Sequence, residues 1–327
     1  VQALLTYVLR RLLTAVPVLL GVTVINFIIM RMAPGNPVDM LVSPKLPAAA
    51  AEARRLALGL NEPAYVQYGL WLKNLLLHGD LGYSLITYEP VTRVIFDRMG
   101  PTLLLMGTAL ALGLLVAVPL GVLSATRQYS KLDYLASTGS FLGLSVPGFF
   151  LGLGLIYLFA IQLQWLPSGG MTELGGSGGF VDRLRHLILP ALVLAAAVAG
   201  RCIRYVRSSM LEILGHDYLR TARAKGVRET LVVGRHAMRN ALIPIVTVIG
   251  LEMSVLLGGA VVVEQVFAWP GIGQLTLSSI MSRDYSTLMG LNLVAAVSVI
   301  AVNLATDFIY AAVDPRVRTS YEGEGAA

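Results

Sequence analysis

Charge is scarce in this chain, and cysteine, histidine and lysine are nearly absent. Of 327 residues, 13% are charged and 56% are apolar, whereas an average soluble protein carries about 25% charged residues. So apolar a chain exceeds what soluble domains of this length bury while keeping a polar surface. Disorder is excluded for the opposite reason, because it requires low hydrophobicity. One cysteine, Cys202, excludes an internal disulfide and any multi-cysteine metal site. The four histidines, His78, His186, His216 and His236, include no pair at ligand spacing, so no metal site is expected. The four lysines are followed by Leu46, Asn74, Leu132 and Gly226, so none completes the Gly-Lys-Ser/Thr of a phosphate-cradling loop. The short glycine pair Gly271 and Gly273 is no nucleotide fingerprint. No apolar stretch offers a histidine base beside a nucleophile, and no catalytic residue is assigned.

What is present is a set of long apolar runs, and the expected fold class is an all-α polytopic membrane protein. Six stretches suffice to cross a bilayer, which takes about 20 residues each. They lie near Leu12–Met30, Thr102–Ala125, Tyr134–Leu163, Ile188–Val206, Ile243–Val263 and Leu288–Val313. Without hydrogen-bond partners in lipid, all must be helical, and the length of the third suggests a tilted helix. Arg10 and Arg11 precede the first run, which resembles a signal peptide but has no small-residue cleavage site before Pro34. It is read as a retained anchor. The net charge of +6 matters less than where the basic residues fall. Arg201, Arg204, Arg207, Arg220, Arg223, Lys225, Arg228, Arg235 and Arg239 cluster around the fourth-to-fifth connection. Arg127, Lys131, Arg316 and Arg318 fall on the same side, which places that side and both termini in the cytoplasm. On the opposite side, Pro47–Leu60 reads as an Ala-rich helix and Pro63 opens another through Leu77. Gly175–Gly179 reads as a flexible loop.

Polar residues inside apolar spans are expensive, at about 2.5–3.5 kcal/mol for a charge at the centre. Glu252 and Asn292 are therefore candidates for a translocation path, or for hydrogen bonding to a neighbouring helix. Gly215–Gly226 (GHDYLRTARAKG) reads as a short helix that supplies its own ends. Gly215 closes the preceding helix, and Asp217 is placed as the N-cap. Arg223 and Lys225 favour the negative end of the helix dipole, and Gly226 supplies the stop. Two turns are unstable alone, so this helix needs a partner surface. Thr221, Ala222 and Ala224 suit seating in a groove, and Arg220, Arg223 and Lys225 suit an acidic rim. The other reading is a solvated basic loop or a contact with lipid headgroups.

At this segment the chain resembles the membrane subunits of binding-protein-dependent ABC importers, and within them the peptide/nickel (dipeptide and oligopeptide) permease family. The matching residues are T-A-R-A-K-G at Thr221–Gly226 and H-A-x-R-N-A-x-I-P at His236–Pro244. Further matches are P-G-N-P at Pro34–Pro37, Leu58–Leu60 with Pro63, G-D-L-G at Gly79–Gly82 with Ser84, and Trp165-Leu166-Pro167. The motif Glu264-x-x-Phe267-x-Trp269-Pro270-Gly271-x-Gly273 follows the fifth span. Arg283-Asp284-Tyr285, Asn303-Leu304, Asp307, Tyr310 and Asp314-Pro315-Arg316 complete the series. Asn36 stands where the family usually has Asp, and Ser286 where it has Pro. The long segment before the second span resembles the first, B-type, permease of the family's pair.

The resemblance implies the type I ABC importer permease fold and a non-enzymatic transport subunit for dipeptides or oligopeptides. Nickel, a nickel chelate or glutathione are alternative cargoes of the same machinery, and an ion-coupled secondary transporter is the rival outside the class. Implied partners are a second, homologous permease in a heterodimer, two ABC ATPase subunits, an extracytoplasmic binding protein and the lipid membrane of a bacterium or archaeon; nucleic acid is not among them. No cofactor is expected on this chain, with ATP and Mg carried by the ATPases. Asp217, Tyr218, Arg220, Thr221, Ala222, Arg223, Ala224, Lys225 and Gly226 would form the helix the ATPases grip. Glu264, Trp269, Pro270 and Gly271 are candidate contacts for the binding protein, or a structural cap. The expected organisation is a first helix over 1–31, an outer segment over 32–100, a permease core over 101–314 and a cytoplasmic tail over 315–327.

Overall fold

A computed structural model describes residues 2–32, 62–173, 175 and 178–313. The expected helix over Pro47–Leu60, the P-G-N-P motif with Asn36, Leu58–Leu60, Asp314–Arg316 and the tail all lie outside the described residues, as does part of Gly175–Gly179. The described residues are mostly helical. Helix α1 spans Gln2–Met32, α2 Ala64–His78, α3 Val91–Thr126, α4 Lys131–Ser145 and α5 Gly148–Leu155, which continues as a π-helical segment, Ile156–Gln162. Then follow α6 Phe180–Leu214, α7 Asp217–Ala224, the single turn α8 Glu229–Leu231 with a π-helical segment Val232–Ala237, α9 Met238–Val266, α10 Ile272–Met281 and α11 Tyr285–Val313. Among the described residues, four helices are long and apolar enough to cross a membrane, or six when each of two bent pairs counts as one span.

The third expected span corrects the sequence reading. It is not one tilted helix: α4 and the α5 segment meet at 98°. The cause is local. Pro147 has no N–H for the helical ladder and disfavours helical backbone in the residue before it. Val146 accordingly adopts φ −82°, ψ 120°, and Pro147 starts the new helix. The fifth span bends similarly, by 51°, between Glu229–Leu242 and Pro244–Leu256. Pro17, Pro101, Pro119 and Pro190 are instead carried inside helices, which membrane helices tolerate when neighbours satisfy the freed backbone.

The chain divides into two compact units, one of Val1–Tyr7, Pro101–Pro270 and Ala301–Ala327, the other of Val8–Gly100 and Gly271–Ile300. In the first, α6 is the central helix. Two-thirds of its apolar window (67%) is buried, and it packs against α4, α5 and α9. Its core face carries Leu189, Val193, Val198, Cys202 and Ile203, against Leu105, Met106, Ala109 and Ala117 of α3. Glycines set the approach. A Cβ on Gly200 would lie 2.9 Å from the Ser140 carbonyl oxygen, and one on Gly113 2.7 Å from Val198. Small residues let helix backbones close up where lipid supplies no hydrophobic drive between helices. Gly200→Ala must therefore push α4 off α6. We expect about 1–3 kcal/mol of destabilisation, read as a lower midpoint in thermal unfolding of the detergent-solubilised protein.

In the second unit, Leu81, Val91, Ile95, Leu288 and Leu291 form a separate cluster, joined by Trp71, Leu75 and Met99. Helix α2 ends at Gly79 in left-handed backbone (φ 65°). It packs on α1 through Tyr68, whose hydroxyl lies 2.9 Å from Thr23 Oγ1 and whose ring lies 5.5 Å from that of Phe27.

Candidate functional site

Helix α7 sits two residues after α6 and is eight residues long. Its end is the one the sequence predicts. Gly226 takes φ +78°; its N–H donates to the Arg223 carbonyl at 2.9 Å, and the Val227 N–H to Ala222 at 3.2 Å. These paired bonds satisfy the last carbonyls of the helix. Its start is corrected. The N-cap position belongs to His216, in extended backbone and without a side-chain cap. Asp217 is the first helical residue, 93% exposed at its side chain and 3.4 Å from Arg220. A carboxylate there still favours the positive end of the helix dipole.

What holds so short a helix in place is Leu219, fully buried and packed with Met210, Ile213, Val232, Ala237 and Ala241. Ala222 lies on the same inner side, which corrects its expected place on an outward docking face. The outward residues are Tyr218, Arg220, Thr221, Arg223, Ala224, Lys225 and Gly226. Two polar ties hold α7 to the segment after it. Asn240 Nδ2 donates to the Tyr218 hydroxyl at 2.6 Å. Arg223 grips Glu229 with two bonds, Nε at 3.0 Å and Nη2 at 2.8 Å. That hydrogen bonding raises the pKa of Arg223 further above its ordinary value. The three basic residues expected to meet an acidic rim all face outward; Arg223 is bound by both carboxylate oxygens of Glu229, and Arg220 lies 3.4 Å from Asp217. A groove of about 460 Å³ opens beside Tyr218, bounded by Leu231, Arg235, His236 and Arg239.

Glu252 makes a helix-to-helix ion pair. Arg201 Nε and Nη2 donate to its two carboxylate oxygens at 2.6 and 2.7 Å, and Glu252 is 3% exposed. Asn292 donates to Asn26 Oδ1 at 3.2 Å, joining α11 to α1. Both candidates for a translocation path therefore make interhelical hydrogen bonds. A third network went unnoticed in the sequence: Asp133, 4% exposed, accepts two bonds from Arg207, at 2.7 and 2.9 Å, and one from Ser124. Arg201 and Arg207 read from sequence as loop charges; each is committed to a buried carboxylate. Glu252 carried an advance signal, as an acid in an otherwise apolar run, whereas Asp133 lies in the polar Arg127–Asp133 connection and carried none.

The Glu264–Gly273 motif needs a correction. Glu264 and Trp269 are both fully buried, so neither side chain presents a surface to a binding protein. Thr102 Oγ1 donates to Glu264 at 2.7 Å, and Trp269 Nε1 donates to the Pro101 carbonyl at 3.0 Å. Both stitch the end of α9 to the Pro101 turn of α3. Pro270 is half-buried and Gly271 buried. In the second unit, Asp284 joins two motifs that are 200 residues apart. It accepts from Ser84 Oγ at 2.5 Å and from Thr287 Oγ1 at 2.7 Å. No cluster of three or more potential metal ligands occurs among the described residues.

Residues 117–319 match the family described as binding-protein-dependent transport system inner membrane component, and residues 4–106 match the N-terminal family of the same membrane components. An oligopeptide transport system permease protein, AppB, of Bacillus subtilis (strain 168) is 46% identical over 312 residues, 95% of this chain and 98% of the relative. The glutathione transport system permease protein GsiC of Escherichia coli (strain K12) is 40% identical over 315 residues, 96% of this chain and 99% of the relative. An inward-facing crystal structure of the MetNI methionine ABC transporter matches with a TM-score of 0.57 at 19% identity, over 68% of this chain and 97% of that chain. That likeness concerns the fold.

Proposed function

The chain belongs to the inner membrane components of binding-protein-dependent transport systems, and from that premise we propose that it passes dipeptides or oligopeptides into the cytoplasm. It is a permease subunit, with the type I importer fold and no enzymatic activity of its own. The cargo reading draws on the oligopeptide permease relative; the glutathione permease relative supports a tripeptide-sized alternative. Energy then comes from two ATPase subunits that carry ATP and Mg. A second, homologous permease completes the path, and a binding protein delivers cargo from outside. The distribution of basic loops supports a cytoplasmic side for both termini and α7.

The observation that carries the coupling role is the construction of α7. It is anchored inward by Leu219, closed by Gly226, and presents a small, basic outer face. A motor that grips this face pulls on α6 and the π-helical segment through the shared Leu219 cluster, and on α9 and α8 through the Tyr218–Asn240 and Arg223–Glu229 ties. ATP binding brings the motors together, and the permease alternates between outward and inward openings. Each state is favoured only by the difference in its binding free energy. Ala224→Asp places a carboxylate on the exposed face without touching the core. In reconstituted vesicles we expect ATP-driven peptide uptake to fall at least tenfold with expression unchanged. Normal uptake by that variant rejects α7 as the coupling element.

A further inference from the structure

We propose that the groove beside α7 is a binding site for the headgroup of an anionic phospholipid, a property separate from the coupling role. The groove holds about 460 Å³ of space, and none of its lining residues is acidic. Its cationic wall is Arg235 and Arg239, with His236 between them; the Asn240 amide is spent on Tyr218 and on the His236 carbonyl, which leaves the Tyr218 hydroxyl hydrogen as a further donor. Arg235, His236, Arg239 and Tyr218 are all exposed. Among the described residues neither Arg235 nor Arg239 forms an ion pair. The nearest carboxylate along the chain, Glu229, is already held by both forks of Arg223. The site therefore carries uncompensated positive charge beside an open volume.

The apolar residues around it select the class of anion. Leu231, in the groove lining, is 49% exposed, and Leu242, three residues past Arg239, is 38% exposed. Residues Glu229–Leu242 form the first limb of a bent pair that as a whole is apolar enough to cross a membrane. Arg239 and Arg235 lie three and seven residues before the Leu242 end of this limb, at most about 11 Å along it at the 1.5 Å α-helical rise, which is close enough for their guanidinium groups to meet a bilayer surface. A free phosphate would leave both leucines in water. An acidic protein segment would need its own apolar complement to cover them. A phospholipid brings phosphate to the arginines and acyl chain to the leucines together. Basic pockets at the cytoplasmic ends of membrane helices select anionic headgroups in this way.

The test uses the assembled transporter in nanodiscs of equimolar phosphatidylglycerol and phosphatidylcholine. The lipids retained after mild delipidation are counted by native mass spectrometry. Each arginine near an anionic surface is worth about a fivefold change in binding, so Arg235→Gln with Arg239→Gln is expected to cut the preference for phosphatidylglycerol about thirtyfold. Arg235→Lys with Arg239→Lys keeps the charge and should keep the preference. Arg127→Gln with Lys131→Gln removes equal charge elsewhere and should change nothing. An unaltered preference in the double Gln variant overturns the proposal, and so does an equal loss in the Arg127/Lys131 control. A photo-crosslinker at position 235 identifies the occupant: label on phospholipid supports the site, and label on an acidic segment of a motor subunit overturns it. Uptake by Ala224→Asp tests the coupling role independently of these outcomes.

Discussion

Glu252→Leu is expected to be the most damaging single substitution in the membrane part of the chain. It leaves the Arg201 guanidinium with no partner for the two bonds it now makes at 2.6 and 2.7 Å. Removing one member of a buried ion pair costs about 3–5 kcal/mol, because the remaining charge is stranded. A large part of the stability of an ordinary domain is of that size. The expected result is a chain that is made but is degraded or aggregates on solubilisation, measured as loss of the monodisperse peak in fluorescence-detection size-exclusion chromatography. The double variant Arg201→Met with Glu252→Leu removes both charges and keeps similar volume, and should recover most of the peak, since apolar replacement of a whole pair is often neutral. Recovery of folding without recovery of uptake would assign the pair to the translocation path. Recovery of both would assign it to helix packing. A single Glu252→Leu variant as stable as the original chain would show that Arg201 finds another acceptor.

The second large effect is expected from Leu219→Ala. Leu219 is fully buried and anchors α7 on Met210, Ile213, Val232 and Ala237. Truncating a buried leucine costs about 2–5 kcal/mol, and an eight-residue helix has little intrinsic stability to set against that. The loss falls on the attachment of α7 and leaves α6 and α9 able to insert. ATP-driven uptake should drop more than tenfold while membrane abundance stays near normal. Protease cleavage after Arg220 or Arg223 should rise in parallel. Normal uptake by Leu219→Ala would show that α7 is held by the Tyr218–Asn240 and Arg223–Glu229 ties alone. The two substitutions act in the same unit but on different clusters, so their effects should add within about 0.5 kcal/mol.

Much of this was written locally. Long apolar runs between basic loops marked where helices cross, because a bilayer leaves no alternative to a hydrogen-bonded helix. Gly226 closed α7 because only a residue at ease with positive φ completes that paired end. Helix α2 followed from Pro63, whose fixed φ suits the start of a helix. The break at Val146–Pro147 was legible too, as a proline in the middle of an apolar run, but run length outweighed it.

Partnership was not legible. Asp133 and Arg207 lie 74 residues apart, Arg201 and Glu252 51, Ser84 and Asp284 200. No local pattern tells a loop charge from one that will be desolvated against a distant carboxylate. The inward turn of Leu219 and Ala222 and the burial of Glu264 and Trp269 depend in the same way on packing. Composition and hydropathy by themselves determined a helical membrane protein, its approximate spans and the position of the short basic helix, since these depend on transfer to lipid and on backbone hydrogen bonding within a few residues. Which charges are neutralised, which face of α7 is free, and where an unpaired cationic groove remains were decided only in three dimensions, because electrostatic and packing energies depend on distances that the order of residues does not contain.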